Sequence, residues 1–322
     1  MKVLITGANG LIGSALVEHF GSTKLHDVVG MVRPGVKCSS EGAVEYRFCD
    51  LSLVNETSVY LNDIDIIIHT AARVHQINDL STDHLLKFME INFFGTIGLA
   101  TKAAKAGVKR FIFLSSIKVN GERSCPEKPF KFDDPRAGMD SYSKSKSEAE
   151  LGLLKISAET KMEVTIIRPP LVYGPGVKAN FLALLNLASK NIPIPLGSVN
   201  NRRSFVALGN LINLISICID HPKASNQVFL VSDDHDMSTS NLYKIMAQSF
   251  GKKGYVFKFN TSILKILFKL IGKESIFERL CGDLVLDIEH TKSSLDWVPI
   301  LSPIDGIKLC VAEPTNKCKD RV

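Results

Sequence analysis

The chain has 322 residues, 45% apolar and 22% charged, with a net charge of +6. That length exceeds one typical domain and can bury a large core without covalent staples. Hydrophobicity this high with so small a net charge excludes disorder as the main state. A nucleic-acid binder would need a clustered basic stripe, so +6 alone gives no ground for one and favours anionic small ligands only slightly.

Taken in chain order, Lys2–Thr6 reads as a buried strand and Leu11–Phe20 as a helix, with apolar residues at 12, 15, 16 and 20. Asp27–Val32 and Val44–Phe48 are strands, and Ile64–His69, almost wholly β-branched, is a strand covered on both faces. Thr82–Ala106 is helical, Arg110–Ser115 a fifth strand, Ser141–Thr160 a helix and Glu163–Arg168 a sixth strand. This alternation predicts an α/β, doubly wound parallel sheet with right-handed crossovers. After Arg168, Pro169, Pro170, Gly174, Pro175 and Gly176 crowd together. Helices are then expected at Ala179–Ser189, Leu208–Ile219, Ser238–Phe250 and Ser262–Ile271. One strand, Gln227–Val231, can return to the main sheet, and the polar tail Glu313–Val322 is expected to fray.

Seven cysteines stand at 38, 49, 125, 218, 281, 310 and 318, an odd number at wide spacing with no C-x-x-C. This pattern predicts reduced thiols, no metal site and a cytoplasmic protein. The N-terminus MKVLITGANGLIG is no signal peptide, because glycines break its apolar run. The longest apolar stretch, Phe205–Ile219, is interrupted by Asn210, Asn213 and Ser216 and is too short to span a bilayer.

Between the first strand and first helix lies T-G-A-N-G-L-I-G, residues 6–13. Gly7 permits the tight turn, Gly10 lets a pyrophosphate approach the backbone, and Gly13 lets the helix pack close to the sheet. The amides that open the helix, with Leu11 and Ile12, would then face the anion. At the end of the second strand no acid is present to bind ribose hydroxyls, and Arg33 stands near the expected place. A guanidinium suits a 2′-phosphate, so NADP(H) is favoured over NAD(H), the alternative being a solvated strand-end arginine. Asp50 either accepts from the adenine amine or caps a turn.

Tyr142 and Lys146 stand four apart on one helical face, and Ser116 lies 26 positions before Tyr142 at the C-terminal end of the fifth strand. A cation beside a phenol, whose ordinary pKa is near 10, favours phenolate and would let Tyr142 exchange a proton with a sugar hydroxyl. Lys146 would also hold the nicotinamide ribose, and Ser116 would donate to the reacting oxygen.

These motifs, with CDLS, HTAA at 69–72, NFFGT at 92–96, SSIKVNG at 115–121, YSKSK, RPPLVYGP at 168–175, RRSFV at 202–206 and LDWVP at 295–299, resemble an extended short-chain dehydrogenase/reductase of the nucleotide-sugar epimerase/dehydratase family. The resemblance covers nearly the whole chain. It implies a Rossmann dinucleotide domain (1–170 plus about 206–231) and a smaller, discontinuous nucleotide-sugar domain (about 171–205 plus 232–313). It also implies a Ser116–Tyr142–Lys146 catalytic set. Around the cofactor it places Asp50 and Leu51 at the adenine, Ala71 and Ala72 as a wall, Asn92 nearby, and Pro169 and Val172 at the nicotinamide. Asn180 and Arg203 match contacts to a nucleotide diphosphate, for which a bidentate cation is suited. Helices 83–106 and 141–160 match those that pair in a homodimer.

Several positions depart from the family pattern. Ile117 and Lys118 occupy the places where sugar 4,6-dehydratases carry Asp-Glu, which rejects that reaction. Asn120, Leu171 and Ser204 replace the family's Tyr, Asn and Asp. The text resembles a UDP-glucose 4-epimerase-like subgroup that includes reductases of UDP-4-keto-6-deoxy-hexosamines in surface polysaccharide synthesis. Arg33 tips the expectation toward a 4-ketoreductase; the alternative is a 4-epimerase with tightly bound NAD. A cofactor-sensing protein without catalysis is a distant third. Lys118 either points at the sugar or is a surface lysine, and His75 either faces substrate or is structural. Ser262–Leu280, apolar with interspersed lysines, is expected to pack over a pocket or a partner, membrane contact being the lesser expectation.

Overall fold

A computed structural model describes residues 1–36, 44–54, 59–74 and 84–312. His75 and the tail Glu313–Val322 therefore lie outside the described residues. The chain runs β1 (Lys2–Thr6), α1 (Leu11–Thr23), β2 (Asp27–Val32), β3 (Glu45–Phe48) and β4 (Ile66–His69). It continues with α2 (His84–Phe88), a π-helical segment (Met89–Gly95), α3 (Thr96–Ala106), β5 (Arg110–Leu114), α4 (Ser141–Glu159) and β6 (Glu163–Arg168). Then come β7 (Leu171–Tyr173), α5 (Ala179–Ser189), β8 (Phe205–Ala207), α6 (Leu208–Cys218), β9 (Gln227–Leu230) and α7 (Thr239–Ser249). Helices α8 (Thr261–Leu270), α9 (Glu274–Cys281), α10 (Glu289–Leu295) and α11 (Pro303–Ala312) complete it.

Seven parallel strands form one sheet in the order β3-β2-β1-β4-β5-β6-β9. The expected Rossmann-type sheet is thus present, and the strand after α6 does return to its edge. The period of two along β1 explains the layers. Val3 and Ile5 face a core shared with Leu16 and Phe20 of α1 and Leu211 and Ile215 of α6, while Leu4 faces the opposite core with Leu99 and Ala103 of α3 and Leu153 of α4. A third core joins Tyr173, Phe181, Leu185, Tyr243, Met246, Phe277 and Ile307 beyond the sheet. Residues Leu284, Leu286, Ile288, Leu295 and Trp297 pack back on the first core.

Two elements differ from the expected ones. The helix expected across 82–106 is a chain of α, π and α turns, and at the end of the π segment Gly95 packs on Leu51, where an added Cβ would lie 2.8 Å from its carbonyl oxygen. The Pro/Gly-rich stretch after β6 holds the three-residue strand β7, paired in parallel with β8. Among the described residues no disulfide joins the five cysteines, no cluster of ligands suits a metal, and no helix is long and apolar enough to cross a membrane.

Candidate active site

The sheet's strand order reverses between β1 and β4, which opens a crevice beyond their C-terminal ends. A cavity of about 240 Å³ lies there. Of the predicted cofactor residues, Gly7, Gly10, Arg33, Asp50, Leu51, Ala71 and Ala72 line it. Gly7 has φ +65°, and a Cβ on it would come within 2.9 Å of the Ala71 backbone. Gly10 begins α1 with no side-chain cap and no acidic residue in the first turn, so the amides of that turn, around Leu11 and Ile12, are left for an anion. These features fit the pyrophosphate of a dinucleotide. Gly13 does not touch the cavity; it packs the helix on the turn, where a Cβ would stand 2.1 Å from the Gly7 oxygen. Gly13→Ala must therefore push backbone against backbone. We expect at least a tenfold loss of dinucleotide affinity by fluorescence titration and about 1–3 kcal/mol of lost stability.

Asp50 lines the cavity and also caps the following turn, its Oδ1 accepting from Ser52 N at 3.0 Å and Ser52 Oγ at 2.8 Å. Arg33 is exposed at the cavity's edge. Asn92, Pro169 and Val172 are not in its lining. Asn92 is fully buried in the π-helical segment. Its Oδ1 accepts from Arg73 N at 2.8 Å, while its Nδ2 donates to Arg73 O at 3.1 Å and Ser145 Oγ at 3.0 Å. It thereby ties the loop after β4 to α4. The Pro169 carbonyl accepts from Ile117 N at 2.9 Å, and Val172 pairs with Val206.

Helix α4 carries the Tyr-Lys pair. Asp140 caps it, Oδ1 accepting from Ser143 N at 2.6 Å, and this cap directs the first turn at the end of β5. Ser116 lies at that end and starts a short 3₁₀ turn, its Oγ accepting from Lys118 N at 3.3 Å. The Ser116 hydroxyl faces the Tyr142 phenol and acts to lower its pKa. Burial and then the Asp140 charge push the Tyr142 phenol up to about 12, against the lowering effect of Ser116. The phenol is therefore protonated at neutral pH, which differs from the phenolate that the sequence suggested.

Lys146 explains the difference. Its Nζ donates to the Leu114 carbonyl at 2.9 Å and sits 4.4 Å above the Phe113 ring, turned toward β5. Burial lowers the amine to about 7, opposed by Glu150. Neighbouring His69, held between Thr6 Oγ1 at 2.8 Å and Thr96 Oγ1 at 3.0 Å, is pushed down to about 3 by burial and then by the Lys146 charge. His69 is thus a neutral strut beneath the turn.

The substrate-side residues divide. Lys118 Nζ donates to Asp140 Oδ2 at 2.5 Å and to Glu122 Oε1 at 3.1 Å, so its charge is spent on the cap of α4. Asn180 is exposed in the first turn of α5. Arg203 is half-buried and donates to Gly282 O at 2.8 Å. Burial lowers its guanidinium to about 10; Asp283 opposes this, and Arg123 and Arg279 add to it. The structure thus brings three arginines together where the sequence singled out one. Ser204 joins two segments, as its Oγ donates to Asp236 at 2.6 Å and accepts from Leu286 N at 3.0 Å.

Sequence reasoning missed Glu150. It is wholly buried and takes a fork from Arg168 (Nε–Oε1 2.9 Å, Nη2–Oε2 2.6 Å), as well as Ser115 Oγ at 2.6 Å and Arg136 Nε at 3.1 Å. Arg168 also donates to Asn120 Oδ1 at 3.0 Å. The signal was present in the spacing, because Tyr142, Lys146 and Glu150 follow one another at four-residue steps.

The profile of the NAD dependent epimerase/dehydratase family matches residues 3–232. The chain is 43% identical over 308 residues to a UDP-glucose 4-epimerase of Vibrio cholerae, covering 95% of this chain and 93% of that protein. Its fold is similar to that of the UDP-glucose 4-epimerase of Thermotoga maritima solved with UDP-glucose (TM-score 0.75, 19% identity, 97% of this chain and 98% of that one). It is also similar to that of the UDP-glucuronic acid 4-epimerase of Bacillus cereus in complex with NAD (TM-score 0.76, 19% identity, 99% of each chain).

Proposed function

This chain belongs to the NAD-dependent epimerase/dehydratase family, and we propose that within it the protein is a UDP-sugar 4-epimerase that keeps NAD bound. The observation that carries the reading is the 43% identity, spread over 95% of the chain, to a UDP-glucose 4-epimerase. The expectation of a 4-ketoreductase rested on Arg33 and a preference for NADP. The relatives weigh against it, since the Bacillus cereus neighbour was solved with NAD.

The parallel sheet with residues 1–170 and 206–231 would hold NAD across Gly7, Gly10, the first turn of α1 and the Ala71–Ala72 wall. Residues 171–205 and 232–313 would close over the UDP-sugar, with Asn180 and Arg203 toward its diphosphate. When bound, NAD supplies a reversible hydride acceptor at the sugar C4 and a positive charge. Tyr142 takes the C4 hydroxyl proton and later returns it. Ser116, facing the phenol, orients the C4 oxygen. Lys146, whose amine burial lowers to about 7, donates to the Leu114 carbonyl and would hold the ribose of the cofactor, where its charge would favour the phenolate. The proposal includes no elimination of water, since Ile117 is buried in the core and Lys118 is paired with Asp140. A homodimer through 83–106 and 141–160 belongs to the same proposal, as Phe94 and Leu151 are exposed on those segments.

The test is the cofactor content of extensively dialysed protein, followed by assay with UDP-hexoses. We expect retained NAD and interconversion of the C4 epimers without added cofactor. An empty protein that binds NADPH well above NADH and reduces a 4-keto UDP-sugar would overturn the epimerase in favour of the reductase.

A further inference from the structure

One stretch of the chain carries as much net positive charge as the whole. Residues 237–273 contain seven lysines (244, 252, 253, 258, 265, 269 and 273) and no Asp, Glu, Arg or His. Seven exceeds the net +6 of the whole chain, so the remainder is close to neutral. All seven are exposed, and among the described residues only Lys265 has a carboxylate partner, Glu278 at 3.6 Å.

The same segment exposes large apolar side chains. In α8 only Leu264 is buried. Ile263, Ile266, Leu267 and Leu270 stand 50%, 57%, 47% and 77% exposed, and Ile271 follows at 62%. Spacing of i, i+3, i+4 and i+7 places the first four in one stripe, while Lys265 and Lys269 form a second stripe on the exposed side. Tyr255 and Phe257 lie before the helix, 49% and 48% exposed. The helix therefore does not bury its apolar stripe over a pocket, as the sequence suggested.

We propose that α8 and its flanking lysines form a docking surface for an anionic lipid bilayer. An apolar stripe beside lysines with aliphatic stems suits the interface, where the stripe enters the acyl boundary and the ammonium groups reach lipid phosphates. Charge complementarity selects this occupant. A second copy of the chain would set seven lysines against seven. An acidic nucleic acid or protein would match the charge but leave the aliphatic stripe in water. Helix α9 leads from this face to Arg279 and Gly282, and Gly282 O accepts from Arg203, so docking would hold the arginine cluster near the bilayer surface.

The experiment is co-sedimentation of the full chain with vesicles of phosphatidylcholine alone and with about one third phosphatidylglycerol, at low salt and at roughly 1 M salt, where the Debye length falls to about 3 Å. We expect binding to the anionic vesicles only, lost at high salt, and weakened roughly tenfold or more by K269E/K273E and by I266E/L270E. Turnover of a soluble sugar nucleotide should be unchanged in both variants, which also reports that they are folded. Equal binding to neutral vesicles or no binding to either would overturn the proposal. So would a loss of solution mass in I266E/L270E with vesicle binding intact, which would identify a second copy as the occupant. Salt-sensitive binding of RNA that is unaffected by I266E/L270E, without vesicle binding, would also overturn it.

Discussion

Turnover by the Tyr142→Phe variant is expected to fall about 10²–10⁴-fold while NAD retention stays at the wild-type level. The ring keeps its place, because its edge-on contact with Phe88, centroids 6.0 Å apart, needs no hydroxyl. What goes is the phenol oxygen that faces the Ser116 hydroxyl. The phenol is held up to about 12 by burial and by Asp140, so its basic form grows as pH rises through the neutral range. The wild-type rate of C4 oxidation should therefore depend on pH, and the residual rate of the Phe variant should lack the part of that dependence that Tyr142 carries. Steady-state rates across pH 6–9, with cofactor content measured by absorbance, decide it. Full turnover in the variant would remove Tyr142 from the chemistry. A cellular role that survives the substitution would favour a cofactor-sensing protein.

Glu150→Ala should unfold the protein more easily by about 3–5 kcal/mol, the largest stability effect anticipated for a single side chain here. Arg168 is 2% exposed, and its guanidinium forks onto a carboxylate that is wholly buried. Removing the carboxylate strands that cation and also deprives Ser115 and Arg136 of an acceptor. Because Ser115 precedes Ser116, activity should fall along with stability. A double-mutant cycle separates pair from site: Glu150→Leu and Arg168→Met are made alone and then together, and the double variant, which removes both charges, should recover a large part of the loss. Urea midpoints of the three variants measure this, and an undiminished loss in the double variant would show that packing, not the stranded charge, sets the effect.

Local text accounts for much of the framework. A strand at Lys2–Thr6, glycines at 7, 10 and 13 and a helix after them are spelled in adjacent residues, since turn chemistry and periodicity act over one or two turns of chain. The same holds for Tyr142 and Lys146 at one helical step, for Ser116 at a strand end, and for β9, whose short apolar run completes the parallel sheet. What adjacency could not tell is where buried side chains turn. Lys146 reaches the carbonyl of Leu114, Asn92 bridges Arg73 and Ser145, and Lys118 is spent on Asp140 rather than aimed at a sugar. Each of those partners arrives from another element, 19 to 53 positions away. The parallel pairing of three-residue β7 with β8 and the exposure of the α8 stripe depend likewise on what packs nearby. The sequence by itself determined the order of elements as far as β6, the glycine turn after β1 and the candidate reacting groups, because these depend on neighbours in the chain. Only the tertiary structure decided the ionisation of Tyr142 and Lys146, the burial of Glu150 against Arg168 and the grouping of Arg123, Arg203 and Arg279, because desolvation and charge act between residues that folding alone brings together.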